Sequence, residues 1–266
     1  YVTYVAPGGK SLAYHRENPD TLVAVDAGGW HAVVLQDFST RPTDNAGEPE
    51  AFKQDALWFF ERVQTASPGA RVVLYMTWAR HPDHGFYPDT FSDPGQMQDQ
   101  LATHYRDAAD RVIPEGSVFP MASELVEVSP VGEVWRHHLA GDAPLRLHDT
   151  DNYHANVHGR WLNALTLYAT LYQRQVTDLP MPWLSADVQR ALTSSVDAVH
   201  PQDLPGGPDG EPFSPLPEPG MFEVGETILI DFGDTSNATT EPGWNNVTLS
   251  TSRLDDLVER SGEQSS

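Results

Sequence analysis

The feature that most constrains the fold of this chain is an alternation of short apolar runs with longer amphipathic segments. Strand-like runs occur at 1–7, 31–35, 71–78, 117–121 and 145–148, and helical spacing occurs at 50–65, 96–112, 131–139, 158–175 and 185–199. Strands that alternate with helices of this length indicate βαβ units, in which a parallel sheet carries helices on both faces. The predicted fold class is therefore α/β, with three layers (α/β/α) and a mostly parallel sheet.

The composition changes sharply after residue 199. Residues 200–220 hold seven prolines and four glycines without apolar periodicity, which predicts a linker over 200–225. The run ETILID at 226–231 then predicts a strand, and the residues after it resemble the opening of an accessory domain of secreted bacterial proteins. We expect one main domain over 1–199 and the beginning of a truncated β-rich domain over 226–266.

The charge balance limits the partners that this chain can have. The 38 acidic and 16 basic residues give a formal net charge of −22, and a surface of this sign repels nucleic acid and anionic membranes. The chain has no cysteine, which excludes disulfides, a thiol nucleophile and thiolate metal sites. No apolar run reaches the length of a membrane-spanning helix. Acidity and the expected accessory domain favour a secreted or periplasmic bacterial protein.

The segment LHDTDNYH at 147–154 is the most informative motif. Asp151 and His154 form a D-x-x-H just before the amphipathic segment 158–175. This spacing lets the carboxylate reach the imidazole, fix its tautomer and stabilise the imidazolium that forms when histidine takes a proton from a serine. Because loops at the carboxyl ends of parallel strands build active sites, the position of the motif also favours catalysis.

At this motif the chain resembles the SGNH (GDSL-like) hydrolases, whose last conserved block is a D-x-x-H before the C-terminal helix of a flavodoxin-like sheet. The resemblance is to a bacterial esterase branch in which glycine, an aromatic residue and leucine follow the histidine, as they do here at Gly159, Trp161 and Leu162. It implies a serine esterase that works through an acyl-enzyme. It also implies no cofactor, and as substrate a small-molecule or carbohydrate ester such as an O-acetylated sugar.

Two upstream segments resemble further blocks of that branch. The run GGKSLAYH at 8–15 resembles the second block, which implies that Gly9 offers its backbone N–H to the oxyanion. The run WHAVVLQDFS at 30–39 resembles the third block, which implies a similar role for Gln36. Commoner members of the superfamily have Gly-x-Asn in this block in place of Gln36 and its neighbours, so Ser39 is an alternative hydrogen-bond donor to the oxyanion. Trp78 and Arg80, which follow the run at 71–78, are expected to line the substrate cleft.

The nucleophile of the resembled family is not found in these blocks. The Gly-Asp/Asn-Ser block should precede Tyr1, so we expect the serine upstream and the chain by itself to be inactive. Two internal segments stay open as sources of the nucleophile. Ser11 lies in a near miss to G-x-S-x-G, although an N-cap explains it better, and ILIDFGDTS at 228–236 offers Thr235 or Ser236 if the fold is circularly permuted.

Two other classes of function stay open at this point. A metal-dependent hydrolase would use His148, Asp149, Asp151 and His154 as ligands, since imidazoles and carboxylates suit zinc. A non-catalytic glycan-binding scaffold would use loop aromatics such as Tyr153. His137 and His138, which lie in the segment 131–139, are expected at the surface and not as metal ligands.

Overall fold

The computed structural model of the chain describes residues 2–177, 179 and 181–199. The predicted linker over 200–225 and the predicted β-rich segment over 226–266 lie outside the described residues, as do Thr235 and Ser236. The chain divides into a larger unit, Lys10–Leu216, and a smaller one that includes Tyr1–Gly9. All helices and strands described below belong to the larger unit, and of Tyr1–Gly9 the described residues are 2–9.

Three parallel strands form the sheet of the larger unit. They are β1 (Ala32–Leu35), β2 (Arg71–Tyr75) and β3 (Val126–Ser129), in the spatial order β1-β2-β3. Val72 stands opposite Val33 on one side and opposite Val126 on the other. Successive parallel strands need a crossover connection, and the chain supplies helical crossovers in both cases.

Strand β2 lies at the centre of the larger unit, and all five of its residues are buried. Val72 and Leu74 pack in one hydrophobic cluster with Phe52 and Phe60. The residues between them, Val73 and Tyr75, point to the opposite face because side chains alternate along a strand. Since helices cover both faces of the sheet, the predicted α/β class with three layers is confirmed.

The described residues form nine α-helices, and each of the five predicted helical segments corresponds to one of them. They are α1 (Leu12–Glu17), α2 (Pro19–Asp26), α3 (Pro49–Ala66), α4 (Pro94–Asp107), α5 (Ile113–Gly116), α6 (Ala122–Leu125), α7 (Val131–Leu139), α8 (Val157–Tyr172) and α9 (Ala186–Val199), with a π-helical turn at Ala108–Val112 between α4 and α5. None of the helices in the described part of the chain is long and apolar enough to cross a membrane.

Local sequence signals explain where several helices begin. Ser11, Asn18, Asp93 and Asn156 each accept a hydrogen bond from a backbone N–H of the first turn of α1, α2, α4 and α8, respectively. Proline occupies the first turn of α2, α3 and α4, where its missing N–H has no helical partner to lose. Ser11 is thus used as an N-cap, as its alternative assignment predicted.

The prediction of strands at 1–7 and 117–121 was wrong. Residues 2–7 pair with no strand in the described chain, and a strand persists only where a neighbour takes its backbone hydrogen bonds. In the second case Pro120 offers no N–H and Met121 adopts a left-handed conformation with φ 64°, which turns the chain into α6. The third strand forms instead at Val126–Ser129, which pairs with β2. Of the strand expected at 145–148, only a single bridge between His148 and Ala155 forms.

Candidate active site

Asp151 and His154 lie side by side on the loop that precedes α8. Nδ1 of His154 is 2.6 Å from Oδ2 of Asp151, and the two side chains are 38% and 47% exposed, respectively. A carboxylate can only accept a hydrogen bond, so Nδ1 carries the proton and Nε2 is left with its lone pair. No hydroxyl among the described residues hydrogen-bonds to Nε2. The histidine is therefore oriented and able to accept a proton at Nε2.

The Asp151 carboxylate also fixes the backbone of its own loop. Its Oδ1 accepts hydrogen bonds from the backbone N–H groups of Tyr153 and His154, at 2.9 Å each. Burial alone would raise the pKa of Asp151, but the hydrogen bonds from the His154 side chain and from these two N–H groups lower it overall. The aspartate is ionised at neutral pH and stabilises a protonated His154.

Further contacts hold the loop from behind. Arg146 donates from Nε to the carbonyl of His148 at 2.9 Å, and from Nη2 to the carbonyl of Asp149 and to Oδ1 of Asn152. Asn152 has φ 61°, a left-handed conformation that asparagine tolerates better than most residues. The Asn156 side chain both caps α8 and donates to the carbonyl of Arg146. The position of the Asp–His pair thus depends on a network local to residues 146–156.

Tyr153 connects this loop to the residues that follow strand β2. The indole N–H of Trp78 donates to the carbonyl of Tyr153 at 3.2 Å. The guanidinium carbon of Arg80 lies 3.5 Å from the centre of the Tyr153 ring, and that ring centre lies 4.0 Å from the centre of the His154 ring. The cation, the phenol ring and the imidazole therefore form a contiguous stack.

Residues that follow strand β1 meet the same stack. Nη2 of Arg80 donates to Oγ of Ser39 at 2.7 Å, and the Thr77 hydroxyl donates to the carbonyl of Ser39 at 3.3 Å. The carboxyl ends of neighbouring parallel strands lie at one edge of a sheet, which explains why β1 and β2 deliver their loops to the same place. The structure thus brings Ser39, Trp78 and Arg80 together with the Asp–His pair.

The other two predicted donors are Gln36 and Gly9. Gln36 is exposed and its side chain forms no hydrogen bond with a described residue, whereas its neighbour Asp37 is buried. Oδ1 of Asp37 accepts from the N–H groups of Leu12 and Phe38, which fastens the start of α1 to the end of β1. Gly9 has φ 67°, a left-handed conformation that suits glycine, and belongs to the smaller unit of the chain. The oxyanion roles of Gly9 and Gln36 stay predictions.

The support beneath the site contains residues that sequence reasoning did not single out. Trp135 of α7 stacks on Trp78 with ring centres 4.5 Å apart, and its N–H donates to Asn163 at 2.6 Å. Gly159 is required here, since a Cβ would lie 2.7 Å from the Trp135 ring. The sequence did indicate the glycine in the block after His154, whereas no local pattern indicated Trp135.

His148 is part of this support and not of a metal centre. Its Nε2 donates to the carbonyl of Ala79 at 2.9 Å, its ring packs edge-on against Trp135, and burial lowers its pKa to about 4. No three His, Asp or Glu side chains in the described part of the chain form a group that could hold a metal ion. The four-residue metal cluster predicted around Asp151 and His154 is therefore not assembled there.

His138, which was expected at the surface, is instead buried. His138 lies within hydrogen-bond distance of Ser195, with 2.9 Å between Nδ1 and Oγ. Nε2 accepts from the backbone N–H of Leu145, so Nδ1 carries the proton, and Ser195 donates its own hydrogen to the carbonyl of Ala191. This histidine cannot act as a base toward Ser195, and the pair joins α7 to α9 structurally.

No protein-family model matches the chain, and no curated protein matches it. Among solved structures, it is similar to a DUF4886 family protein from Bacteroides uniformis ATCC 8492, with a TM-score of 0.53 and 15% identity over 74% of this chain and 82% of that one. It also matches a protein from Slackia heliotrinireducens that is provisionally described as an SGNH hydrolase, with a TM-score of 0.48 and 25% identity over 60% and 78% of the two chains. The first of these likenesses shows a shared α/β fold and no more.

Proposed function

We propose that this protein hydrolyses carboxylic esters through an acyl-enzyme, with His154 as general base and general acid. The observation that carries the proposal is the hydrogen bond from Nδ1 of His154 to Asp151, which leaves Nε2 as a partly exposed base. Histidine with this tautomer is the usual base for activating a serine hydroxyl. The resemblance of residues 151–162 to the SGNH esterase block supports the same reaction class.

The proposed chemistry runs in two halves. A serine hydroxyl attacks the ester carbonyl carbon while its proton passes to Nε2 of His154, and the resulting imidazolium is stabilised by Asp151. The carbon–oxygen bond to the alcohol then breaks, and the alcohol leaves with the proton from His154. Water next attacks the acyl-enzyme with His154 as base, which releases the acid and restores the serine. The reaction needs no cofactor.

The serine is not assigned to a described residue. Ser11 is engaged as the N-cap of α1, and Ser195 is buried in contact with His138 and the carbonyl of Ala191. We propose that the nucleophile lies outside the described residues, with an upstream segment as the first candidate. For the substrate we propose a carbohydrate ester, which is what the resemblance to the bacterial esterase branch implies.

The proposal is tested with p-nitrophenyl acetate and a serine-directed fluorophosphonate. The chain is compared with a longer version that includes any upstream coding sequence, each in wild-type form and with His154→Ala. We expect turnover and labelling in at least one wild-type form and loss of both with His154→Ala. Absence of turnover and labelling in every form would instead favour a glycan-binding scaffold. Activity that disappears with a chelator and returns with zinc would indicate a metal-dependent hydrolase.

A further inference from the structure

Arg80 differs from the other buried cations of the described chain. The side chains of Lys53, Arg71 and Arg80 are all buried. Lys53 forms ion pairs with Glu50 and Asp107, and Arg71 forms one with Glu127. Among the described residues no carboxylate lies within ion-pairing distance of Arg80, and Asp151 acts on its charge only from farther away. An unpaired buried charge is costly, so its persistence indicates a use.

The contacts of Arg80 hold it firmly without neutralising it. One face lies on the Tyr153 ring, and the backbone carbonyl of Arg80 accepts from the Tyr87 hydroxyl at 3.1 Å. Its Nε is buried and has no hydrogen-bond partner among the described residues. Burial lowers the pKa of Arg80 to about 10, which leaves the guanidinium charged at neutral pH. A positive charge therefore stands fixed beside the ring that contacts His154.

Ser39 is the group through which this charge can act. Its Oγ accepts the hydrogen bond from Nη2 of Arg80, and its own hydrogen has no acceptor among the described residues. A hydroxyl that accepts from a cation becomes a better donor, because chains of hydrogen bonds polarise one another. Ser39 is only partly buried, whereas Arg80 is 3% exposed. Ser39 is thus the more exposed member of the pair, and its O–H is a stronger hydrogen-bond donor than that of a serine without a cationic neighbour.

We propose that the Ser39 hydroxyl, backed by Arg80, binds an anionic oxygen beside the stack that Arg80 forms with Tyr153 and His154. Ser39 is then a catalytic or substrate-binding residue, and Arg80 is a positioning residue that acts through it. The anionic oxygen has two sources in ester hydrolysis: the tetrahedral oxyanion of the reaction, or a carboxylate that the substrate carries. The inference rests on the proposed esterase function for its kinetic test but not for its binding test.

The kinetic test uses whichever form of the protein turns over p-nitrophenyl acetate, with mono-p-nitrophenyl succinate as the carboxylate-bearing counterpart. If the oxyanion is the source, Ser39→Ala lowers kcat about 10²–10³-fold for both esters and leaves KM unchanged. If a substrate carboxylate is the source, Ser39→Ala raises KM for the succinate alone. Arg80→Gln keeps a hydrogen-bond donor without the charge. We expect it to change the same kinetic constant in the same direction as Ser39→Ala, by about tenfold.

The controls separate this role from a structural one. Ser39→Thr keeps the hydroxyl and restores most of the lost function. Ser92→Ala and Arg190→Gln, which alter exposed residues of the same types, leave both kinetic constants unchanged. The melting temperature of each variant is recorded. Unchanged kcat and KM for both esters in a folded Ser39→Ala variant would overturn the proposal.

The binding test does not require turnover. Sodium acetate is titrated into the full chain while the side-chain Nε–Hε signal of Arg80 is followed by NMR, with Arg80→Gln identifying that signal. We expect a saturable shift in the wild type that Ser39→Ala abolishes. If no form of the protein hydrolyses an ester, the proposed function fails and this titration alone decides the anion site. Absence of a saturable shift in such an inactive chain would overturn the proposal.

Discussion

Two buried arginines at opposite ends of strand β2 have different surroundings. Arg71 begins the strand and donates to the carbonyls of Leu171 and Thr170, at 2.7 and 2.9 Å, and to the Glu127 carboxylate. Arg80 follows the strand and meets an aromatic ring and a serine hydroxyl. The first arrangement fastens the C-terminal end of α8 to the sheet, and the second leaves a charge beside the Asp–His pair.

The difference shows how one residue type serves stability at one edge of the sheet and chemistry at the other. At the amino edge the guanidinium is matched by a carboxylate and by the carbonyls of a helix end, which carry partial negative charge. At the carboxyl edge the guanidinium meets a serine hydroxyl and an aromatic ring, and no carboxylate of the described residues lies within ion-pairing distance of it. The predictions below test this division, beginning with the largest expected effect.

The largest effect is expected at the carboxyl edge from His154→Ala. In the active form of the protein we expect kcat to fall by about 10³–10⁴-fold, because the base and its proton shuttle are lost. The free energy of unfolding should change by less than about 0.5 kcal/mol, since the side chain is 38% exposed. Steady-state kinetics and urea unfolding measure the two quantities. Near-normal turnover of the variant would show that His154 is not the general base and that the carboxyl edge of the sheet does not carry the proposed chemistry.

The matching change at the amino edge is Arg71→Met. We expect a loss of about 3–5 kcal/mol in the free energy of unfolding, because the variant leaves Glu127 buried without its partner. Urea unfolding followed by tryptophan fluorescence measures it. Adding Glu127→Gln to this variant should recover part of the loss, since no buried carboxylate is then left unpaired. A loss below about 1 kcal/mol would show that Arg71 is not a structural clamp.

Acid should weaken the support beneath the site through His148. Its pKa of about 4 in the fold lies below the ordinary 6.5, so the unfolded chain binds the proton more readily between these pH values. The contribution of His148 is fully present above pH 6.5 and is lost as the pH falls toward 4, by about 3 kcal/mol. Urea unfolding at pH 7, 5.5 and 4 measures this in the wild type and in His148→Asn, which should show the smaller dependence. Equal pH dependence of the wild type and His148→Asn would show that a group other than His148 causes the acid sensitivity.

A much smaller effect on stability than that of Arg71→Met is expected from Arg80→Met, the same substitution at the other arginine. It removes a buried charge that no carboxylate matches, so the free energy of unfolding should fall by less than about 1 kcal/mol or rise. The two Arg→Met variants measured side by side in urea provide the sharpest test of the comparison. If Arg80→Met were as destabilising as Arg71→Met, both arginines would be structural.

The sequence predicted the features that depend on neighbouring residues. The helices at 50–65, 131–139 and 158–175 were found from apolar spacing, and the cap at Ser11 from residue type. The hydrogen bond between Asp151 and His154 spans three residues, so a D-x-x-H could indicate it. Their catalytic role stays a prediction. The strand at Val126–Ser129 was missed because a run of only four residues is too short to show a clear alternation, and its pairing with β2 defines it.

What the sequence by itself determined is the α/β class, the positions of most helices and the Asp–His motif, because periodicity, caps and short spacings act within a few residues. Only the tertiary structure decided which arginine forms an ion pair with a carboxylate. Arg71 meets Glu127 and the end of α8 from 56 to 100 residues away, and Arg80 meets Ser39 and Tyr153 across 41 and 73 residues. A guanidinium has the same chemistry at both positions in the sequence. Its function depends on which distant groups the sheet and its crossovers place around it.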